Sequence, residues 1–408
     1  MAIEARLVPA DDLRGWAESV SSSNSEELSD ETWRDVAPTI EPDRTLGVYD
    51  GDQVVGGGSI FTFDVTVPGG DAVPAAGITW IGIMPTHRRR GGLRALMTAM
   101  FENARARNEP LAVLWASEGS IYQRFGYGLS TWASSIELER ERAVLLSSEP
   151  ARGRVRLVEV AEAKELFRPI YELNRAATPG FFSRSEIWWD IETLADFRWG
   201  RRGMDRRFYA VHETDGVADA YAMYRARHDW QNGVPGSELN VSEIMAVDGT
   251  ALREMWRFLF GIDLIKRITN RSGSIDEPLE LMVAEPRRLN VRLRDGMWLR
   301  VLDVPAALER RTYADDGTIV IDVRDDFTPD AGGRFRLTTS GGAATVERST
   351  DAADVALDAA DLGALYLGGF SLAQLARAGR TTELTRGARR RADAMFRTDV
   401  APWCPQTF

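Results

Sequence analysis

Ile81-Gly-Ile-Met-Pro-Thr-His-Arg-Arg-Arg-Gly-Gly-Leu-Arg94 runs from a short apolar strand through a proline turn into the start of a helix. That helix is the most regular in the chain, because Leu93, Leu96, Met97, Met100, Phe101 and Ala104 recur at helical spacing on one apolar face. Backbone N–H groups at a helix N-terminus have no intrahelical acceptor, and the helix dipole adds partial positive charge there. Gly91 and Gly92 let a ligand approach that backbone closely, and Arg88, Arg89, Arg90 and Arg94 add charge at the same end. The run is a candidate pyrophosphate cradle, built without the Gly-Lys-Ser/Thr of a P-loop or the three spaced glycines of a dinucleotide fold. A solvated basic turn capping a helix would use the same residues. The strand before and the periodic helix after favour the cradle.

Working outward, a strand over 78–84 precedes the helix and a buried strand over 111–116 follows it, a βαβ crossover. Upstream lie a helix over 11–20, an acidic segment 21–35, a strand 45–49 and one long strand or two over 54–67. The region 155–289 repeats this order loosely: a helix 161–177, a Trp/Arg-rich stretch 188–207, strands 208–212, 220–227 and 238–247, then a helix 250–260. That suggests duplication. Nothing in 243–260 offers a second Arg-x-x-Gly turn, since Asp248-Gly249-Thr250 reads as a bare capping motif. From about Arg294 come strands around 319–323, 335–339 and 344–346, helices 360–367, 371–378 and 383–396, and an extended tail to Phe408. The expected fold class is α+β (mixed α/β) in three domains, 1–150, 151–293 and 294–408.

With 408 residues the chain is too long for one core. Hydrophobic residues at 44% and charged ones at 27% describe a folded protein rather than a disordered one. A net charge of −11 opposes nucleic-acid binding and is compatible with a cationic substrate. Lysine occurs only at 164 and 266, so arginine abundance is compositional and only its position carries meaning. The single cysteine, Cys404, excludes an internal disulfide framework, and three histidines leave no histidine metal cluster, so no metal is expected. The N-terminus has no signal-peptide pattern and no apolar run approaches the ~20 residues of a membrane helix. A cytoplasmic protein is expected.

Arg88-x-x-Gly91-x-Leu93 resembles the acyl-CoA pyrophosphate signature of the GNAT superfamily of N-acetyltransferases, with Leu93 standing where Gly or Ala is usual. Pro85-Thr-His-Arg-Arg-Arg-Gly91, Ala116-Ser-Glu-Gly-Ser-Ile-Tyr-Gln-Arg-Phe-Gly-Tyr-Gly128 and Met297-Trp-Leu-Arg-Val-Leu-Asp-Val-Pro-Ala-Ala-Leu-Glu309, with the terminal phenylalanine, are similar to the enhanced intracellular survival (Eis) family. That family comprises aminoglycoside and lysine N-acetyltransferases, and the similarity spans nearly the whole chain. The resemblance implies two acetyltransferase-like (GNAT) domains, a C-terminal domain of sterol-carrier type, a homohexamer, and acetyl-CoA bound only by the first domain. It further implies that backbone at Ile81, Gly82 and Ile83 meets the pantetheine, and that Arg88, Arg89, Arg90, Gly91, Gly92, Leu93 and Arg94 surround the pyrophosphate. Tyr122 and Gln123 would border the acyl end, Tyr127 would be the general acid, and the α-carboxylate of Phe408 the general base.

Those roles suit acetyl transfer. A tyrosine hydroxyl of pKa about 10 can supply a proton to a thiolate of pKa about 8.5, and a terminal carboxylate of pKa about 3.5 is ionised and can take one from an amine. Alone, Tyr127 reads as a packed aromatic and Phe408 as a frayed terminus; both roles rest on the resemblance. Pro402 and Pro405 favour an extended tail. Glu26, Asp30, Trp33, Phe61 and Trp80, with Glu31 nearby, are candidate substrate-pocket residues, against ordinary core and solvated loop. His87 stands by the cofactor or packs the helix cap, and Cys404 is a bystander with a modifiable thiol. The expected activity is acetyl-CoA-dependent acetylation of primary amines on polycationic small molecules such as aminoglycosides, at several positions. Protein or peptide lysines are the alternative acceptor, and a lipid-binding or scaffold protein acting through 294–408 the non-enzymatic alternative.

Overall fold

The computed structural model describes residues 3–146 and 150–408. From the N-terminus the chain forms strand β1 (Ile3–Leu7), helices α1 (Leu13–Ser23) and α2 (Asp30–Val36), and strands β2 (Thr45–Asp50), β3 (Gln53–Thr66) and β4 (Ala72–Ile83). Helix α3 (Gly92–Ala106), strand β5 (Leu111–Trp115), the short helix α4 (Gly119–Tyr122) and strand β6 (Gly128–Leu129) follow. The apolar period of α3 becomes its buried face: Leu96, Met97, Met100 and Phe101 pack on the sheet, each contributing roughly 1.5–3 kcal/mol. Strand β4 is longer than the expected 78–84. Its first half, Ala-Val-Pro-Ala-Ala-Gly from Ala72, lacks the bulk that marks a strand in sequence, yet it pairs with β3 on one side and β5 on the other.

The chain continues through β7 (Trp132–Glu139), β8 (Arg154–Val158), α5 (Val160–Ala177), β9 (Phe208–Thr214), β10 (Val217–Arg227), the small hairpin β11 (Trp230–Gln231) and β12 (Val234–Pro235), β13 (Ser237–Ala246), α6 (Gly249–Gly261), β14 (Ile265–Gly273), β15 (Arg292–Asp295) and β16 (Met297–Val301). Within the Trp/Arg-rich stretch lie a π-helical turn, Trp188–Thr193, and a 3-10 turn, Arg198–Arg201. Two seven-stranded sheets result, ordered β1-β2-β3-β4-β5-β16-β6 and β15-β7-β14-β13-β10-β9-β8.

The sheets exchange strands. β7 leaves the first sequence region to pair with β14 and β15 in the second sheet, while β16 returns from far downstream to lie between β5 and β6 in the first. The crossings touch: Gly296 N donates to the Thr131 carbonyl at 3.0 Å and Met297 N to Thr131 Oγ1 at 2.8 Å. A Cβ on Gly296 would meet that oxygen at 2.5 Å, so glycine permits the approach. Cuts at 150 and 293 divide the sequence, but the sheets interlock across both.

The last region is a five-stranded sheet, Gly317–Arg324, Gly333–Ser340, Ala343–Arg348, Val355–Asp358 and Thr382–Glu383, with helices Val304–Arg310, Ala359–Tyr366, Leu372–Arg377 and Ala388–Phe396. Its core is continuous with that of the first sheet, because Leu362, Leu365 and Phe396 share one apolar cluster with Phe61 and Leu299.

Candidate active site

Strands β4 and β5 run parallel and are paired only as far as Gly77 and Val113. Beyond that they part, and β4 continues to Ile83 with one edge free. β4 also bulges: Thr79 faces Ser59 and Gly82 faces Gly57, so Trp80 and Ile81 crowd opposite Gly58, and Trp80 takes φ +54°. A tryptophan in left-handed backbone costs on the order of 1–3 kcal/mol and marks a place where surrounding packing enforces a shape. The opening between the strands leads to the start of α3. There Gly91 caps the helix with φ +89°, and the first intrahelical bond, Ala95 N to the Gly91 carbonyl at 3.0 Å, leaves the amides of Gly92, Leu93 and Arg94 without helical acceptors.

A cleft of about 620 Å³ follows this path, lined by Ile81, Gly82, Ile83, Arg88, Arg89, Gly91, Gly92, Leu93, Arg94 and Tyr122 from the expected set. The arginines differ in what they do. Arg88 braces the wall, donating to the Ile83 carbonyl at 3.2 Å and the Ser23 carbonyl at 3.1 Å. Arg90 turns away to Asp50 at 2.9 Å and holds that carboxyl below its usual range. Arg89 lines the cleft in left-handed backbone, φ +63°. Arg94 lies over the Phe327 ring at 4.9 Å. His87 lines the cleft with its Nδ1 2.8 Å from Thr86 Oγ1. Gln123 is exposed and not on the cleft wall; the turn after α4 presents Arg124 and Phe125 instead. Arg124, like Phe327 from the third region, escaped the sequence reading, although it adjoins Gln123 in the quoted motif. Free amides, an open strand edge and two guanidinium groups without an ion-pair partner among the described residues fit a diphosphate joined to an amide-bearing arm.

The two tyrosines occupy different places. Tyr122 lines the cleft, and burial pushes its hydroxyl up to about 12. Tyr127 lies behind it, fully buried, its ring 6.1 Å from that of Tyr122. Its hydroxyl has no hydrogen-bond partner among the described residues, and burial raises its pKa far more than the nearby Arg300 lowers it.

Phe408 does reach the first sheet. Its ring stands 5.1 Å from Trp115, 5.1 Å from Phe63 and 5.7 Å from Phe61, with Phe182 and Trp188 closing the box. Gly77 makes the room, since a Cβ there would lie 3.1 Å from the ring tip. Among the candidate substrate residues, Phe61 thus touches the terminal residue, and Trp80 packs partly buried against the same core and, at 5.7 Å, against Trp16. Trp33 stacks loosely under Arg14 at 5.9 Å, Asp30 pairs with the same arginine at 3.1 Å, and Glu26 is exposed. Asp30 and Trp33 lie on α2 and Glu26 in the loop before it, and none of them is among the rings around Phe408. The other rings of the box, Phe63, Trp115, Phe182 and Trp188, carried no local signal in sequence, nor did Arg184, whose Nε donates to Gln406 Oε1 of the tail at 2.7 Å.

Family models for an acetyltransferase (GNAT) domain match residues 4–130 and again 180–301, and a sterol carrier protein domain model matches 304–405. Fold and cleft therefore define an acetyltransferase of the GNAT class, an enzyme, in the mixed α/β architecture of two such domains plus a sterol-carrier-like third. The chain is 40% identical over 413 residues to an uncharacterized N-acetyltransferase of Streptomyces avermitilis, covering 100% of both chains. It is 36% identical over 381 residues to the N-acetyltransferase Eis of Mycobacterium bovis, covering 90% of this chain and 89% of that one. The crystal structure of Eis1 from Mycobacterium abscessus matches it with a TM-score of 0.85 at 32% identity, covering 100% of both. The chain belongs to the Eis family of N-acetyltransferases. GNAT acetyltransferases in general use acetyl-CoA and an acceptor. Among the described residues no helix is long and apolar enough to cross a membrane.

Proposed function

We propose that this enzyme transfers the acetyl group of acetyl-CoA to primary amines of polycationic small molecules such as aminoglycosides, at more than one position. The observation that carries the donor half is the cleft at the start of α3, where free amides and Arg89 and Arg94 meet the open edge of β4. Residues 1–150 then hold the cofactor, 151–293 hold none, and 294–408 deliver the terminal carboxylate. Acetyl-CoA, when bound, supplies an acyl carbonyl activated as a thioester. The Phe408 carboxylate takes a proton from the attacking amine, and the Tyr127 hydroxyl, made a weaker acid by its burial, gives one to sulfur as the carbon–sulfur bond breaks. Phe61 and Trp80 wall the acceptor side, with Trp33, Glu26 and Asp30 further out where ammonium groups of a long substrate would lie. A homohexamer in the cytoplasm completes the reading.

A second reading of the acid is favoured by one observation, that Tyr122 and not Tyr127 lines the cleft. Phenylalanine at each position separates them: the true acid loses turnover about a hundredfold with acetyl-CoA affinity kept, and the other does not. The base is tested by appending one glycine after Phe408. Turnover on kanamycin-like amines is expected to fall at least about a hundredfold with cofactor binding intact; full activity would remove the tail from the chemistry. Running lysine peptides beside those amines, with thiol release as readout, tests the acceptor class.

A further inference from the structure

Strands β13 and β14 of the second sheet are parallel and are paired as far as Val241 and Asn270. Past those residues they part, as β4 and β5 do past Gly77 and Val113. Helix α6 follows β13 as α3 follows β4, so the second sheet has an opening at the position of the first sheet's cleft. A cavity of about 350 Å³ lies there, bounded by Met245, Ser272 and Asp276 and by two residues of the C-terminal tail, Val400 and Trp403.

Several hydrogen bonds hold the tail at this opening, among them Trp403 N to the Pro179 carbonyl at 2.9 Å and Tyr171 Oη to Gln406 Oε1 at 3.4 Å. Ala401 N donates to Asp276 Oδ2 at 2.9 Å, Ser272 Oγ to the Pro405 carbonyl at 3.2 Å, and Arg184 Nε to Gln406 Oε1 at 2.7 Å. Arg184 is itself fixed, because its two terminal nitrogens donate to Glu243 at 3.1 and 2.6 Å and Tyr221 donates to the same carboxylate at 2.6 Å. The pair is buried, with side chains 1% and 6% exposed. A buried ion pair is weak evidence for stability, but it fixes a geometry, and here the Nε of the same guanidinium reaches Gln406. Glu243 stands on β13 and Ser272 on β14, so both diverging strands grip the segment that ends in Phe408.

We propose that the opening of the second sheet is a docking cleft for the chain's own residues 400–406, and that Arg184, Glu243, Ser272 and Asp276 are positioning residues for the Phe408 carboxylate. The positioning half rests on the reading of Phe408 as the base; the docking half does not. One peptide then spans both strand openings, held in the second and acting in the first.

Cys404, the single cysteine, lies inside the docked segment, buried, with its thiol pushed up to about 12 by that burial. Its alkylation by iodoacetamide, followed by intact mass, therefore reads docking in the full-length protein. Gln406→Ala removes one acceptor of Arg184 and leaves the Arg184–Glu243 pair whole, and Ser272→Ala is a milder companion. Alkylation is expected to rise about tenfold in Gln406→Ala and a few-fold in Ser272→Ala, with turnover falling in parallel and KM for the acyl donor unchanged. Unchanged alkylation in both variants, or lost turnover without faster alkylation, overturns the docking cleft. Faster alkylation with full turnover upholds the cleft and overturns the positioning role, and the appended-glycine protein then says whether Phe408 itself was misread.

Discussion

In the first sheet, residues 84–91 join β4 to α3; in the second, residues 247–248 join β13 to α6. The longer link has room for a turn, three arginines and a left-handed glycine cap, and its helix starts with amides unclaimed. The shorter one ends in Asp248, whose side chain accepts from the amides of Thr250 and Ala251 at 2.8 and 2.9 Å. A helix start capped by its own carboxylate offers an incoming anion neither free donors nor positive field. Two sheets with the same strand–helix–strand unit thus present opposite helix starts, one open and one capped, because of a few residues of loop.

Spoiling the first loop alone should abolish the difference between the two helix starts. A Cβ on Gly91 would meet no atom within 4 Å, so the fold has space for a side chain. Its φ of +89° does not suit a β-branched residue, and the side chain would project where the diphosphate is expected. Gly91→Val is therefore expected to weaken acetyl-CoA binding at least about a hundredfold by calorimetry, with a circular-dichroism spectrum like the parent's. Unaltered affinity would mean that the loop is not the cradle.

How much of this was legible in sequence follows from how local each feature is. The helix start with free amides at the cleft was readable because glycine, arginine and apolar period fall within one strand–turn–helix, and Asp248 was readable as a cap for the same reason. The role of Arg90 was not, since its partner Asp50 comes from the turn after β2. Gln123 and Arg124 could not be told apart without the phase of one short helical turn. The exchange of β7 and β16 left no trace because a buried strand such as Met297–Val301 reads the same whichever sheet receives it. The tail's anchors were least legible, Gln406 being bound by Arg184 from 222 residues away.

A second difference between the sheets is chemical. Beside the tail's cleft, the carboxyl of Glu277 is buried with Oε1 unbonded among the described residues, and burial, helped by Asp276 and Glu280, pushes its pKa up from 4.5 to about 7 despite a hydrogen bond from Leu279 N. A carboxyl whose folded pKa lies above its unfolded value favours folding below about 4.5, and that contribution is lost as pH rises through about 7. Glu277→Gln is expected to flatten this part of the pH–stability curve and to raise stability above neutrality by on the order of 2 kcal/mol. Denaturant midpoints across the range test it, and parallel curves for both proteins would refute a buried, high-pKa carboxyl. Within the first loop the arginines should separate by smaller steps. Arg89→Ala and Arg94→Ala are each expected to cost about five- to tenfold in acetyl-CoA affinity, and Arg90→Ala, paired to Asp50, next to nothing.

A change at the other helix start should leave acetyl-CoA binding untouched. Asp248→Ala removes the side-chain acceptor for Thr250 and Ala251, and losing an N-cap costs about 1 kcal/mol of stability. It also uncovers the amides of α6, yet residues 247–248 supply no arginine and no glycine turn to shape a cradle. Acetyl-CoA affinity and stoichiometry are expected to stay unchanged while the unfolding midpoint drops. A second equivalent of acetyl-CoA binding to Asp248→Ala would show that one carboxylate, not the missing loop, is what keeps the second sheet from being a site.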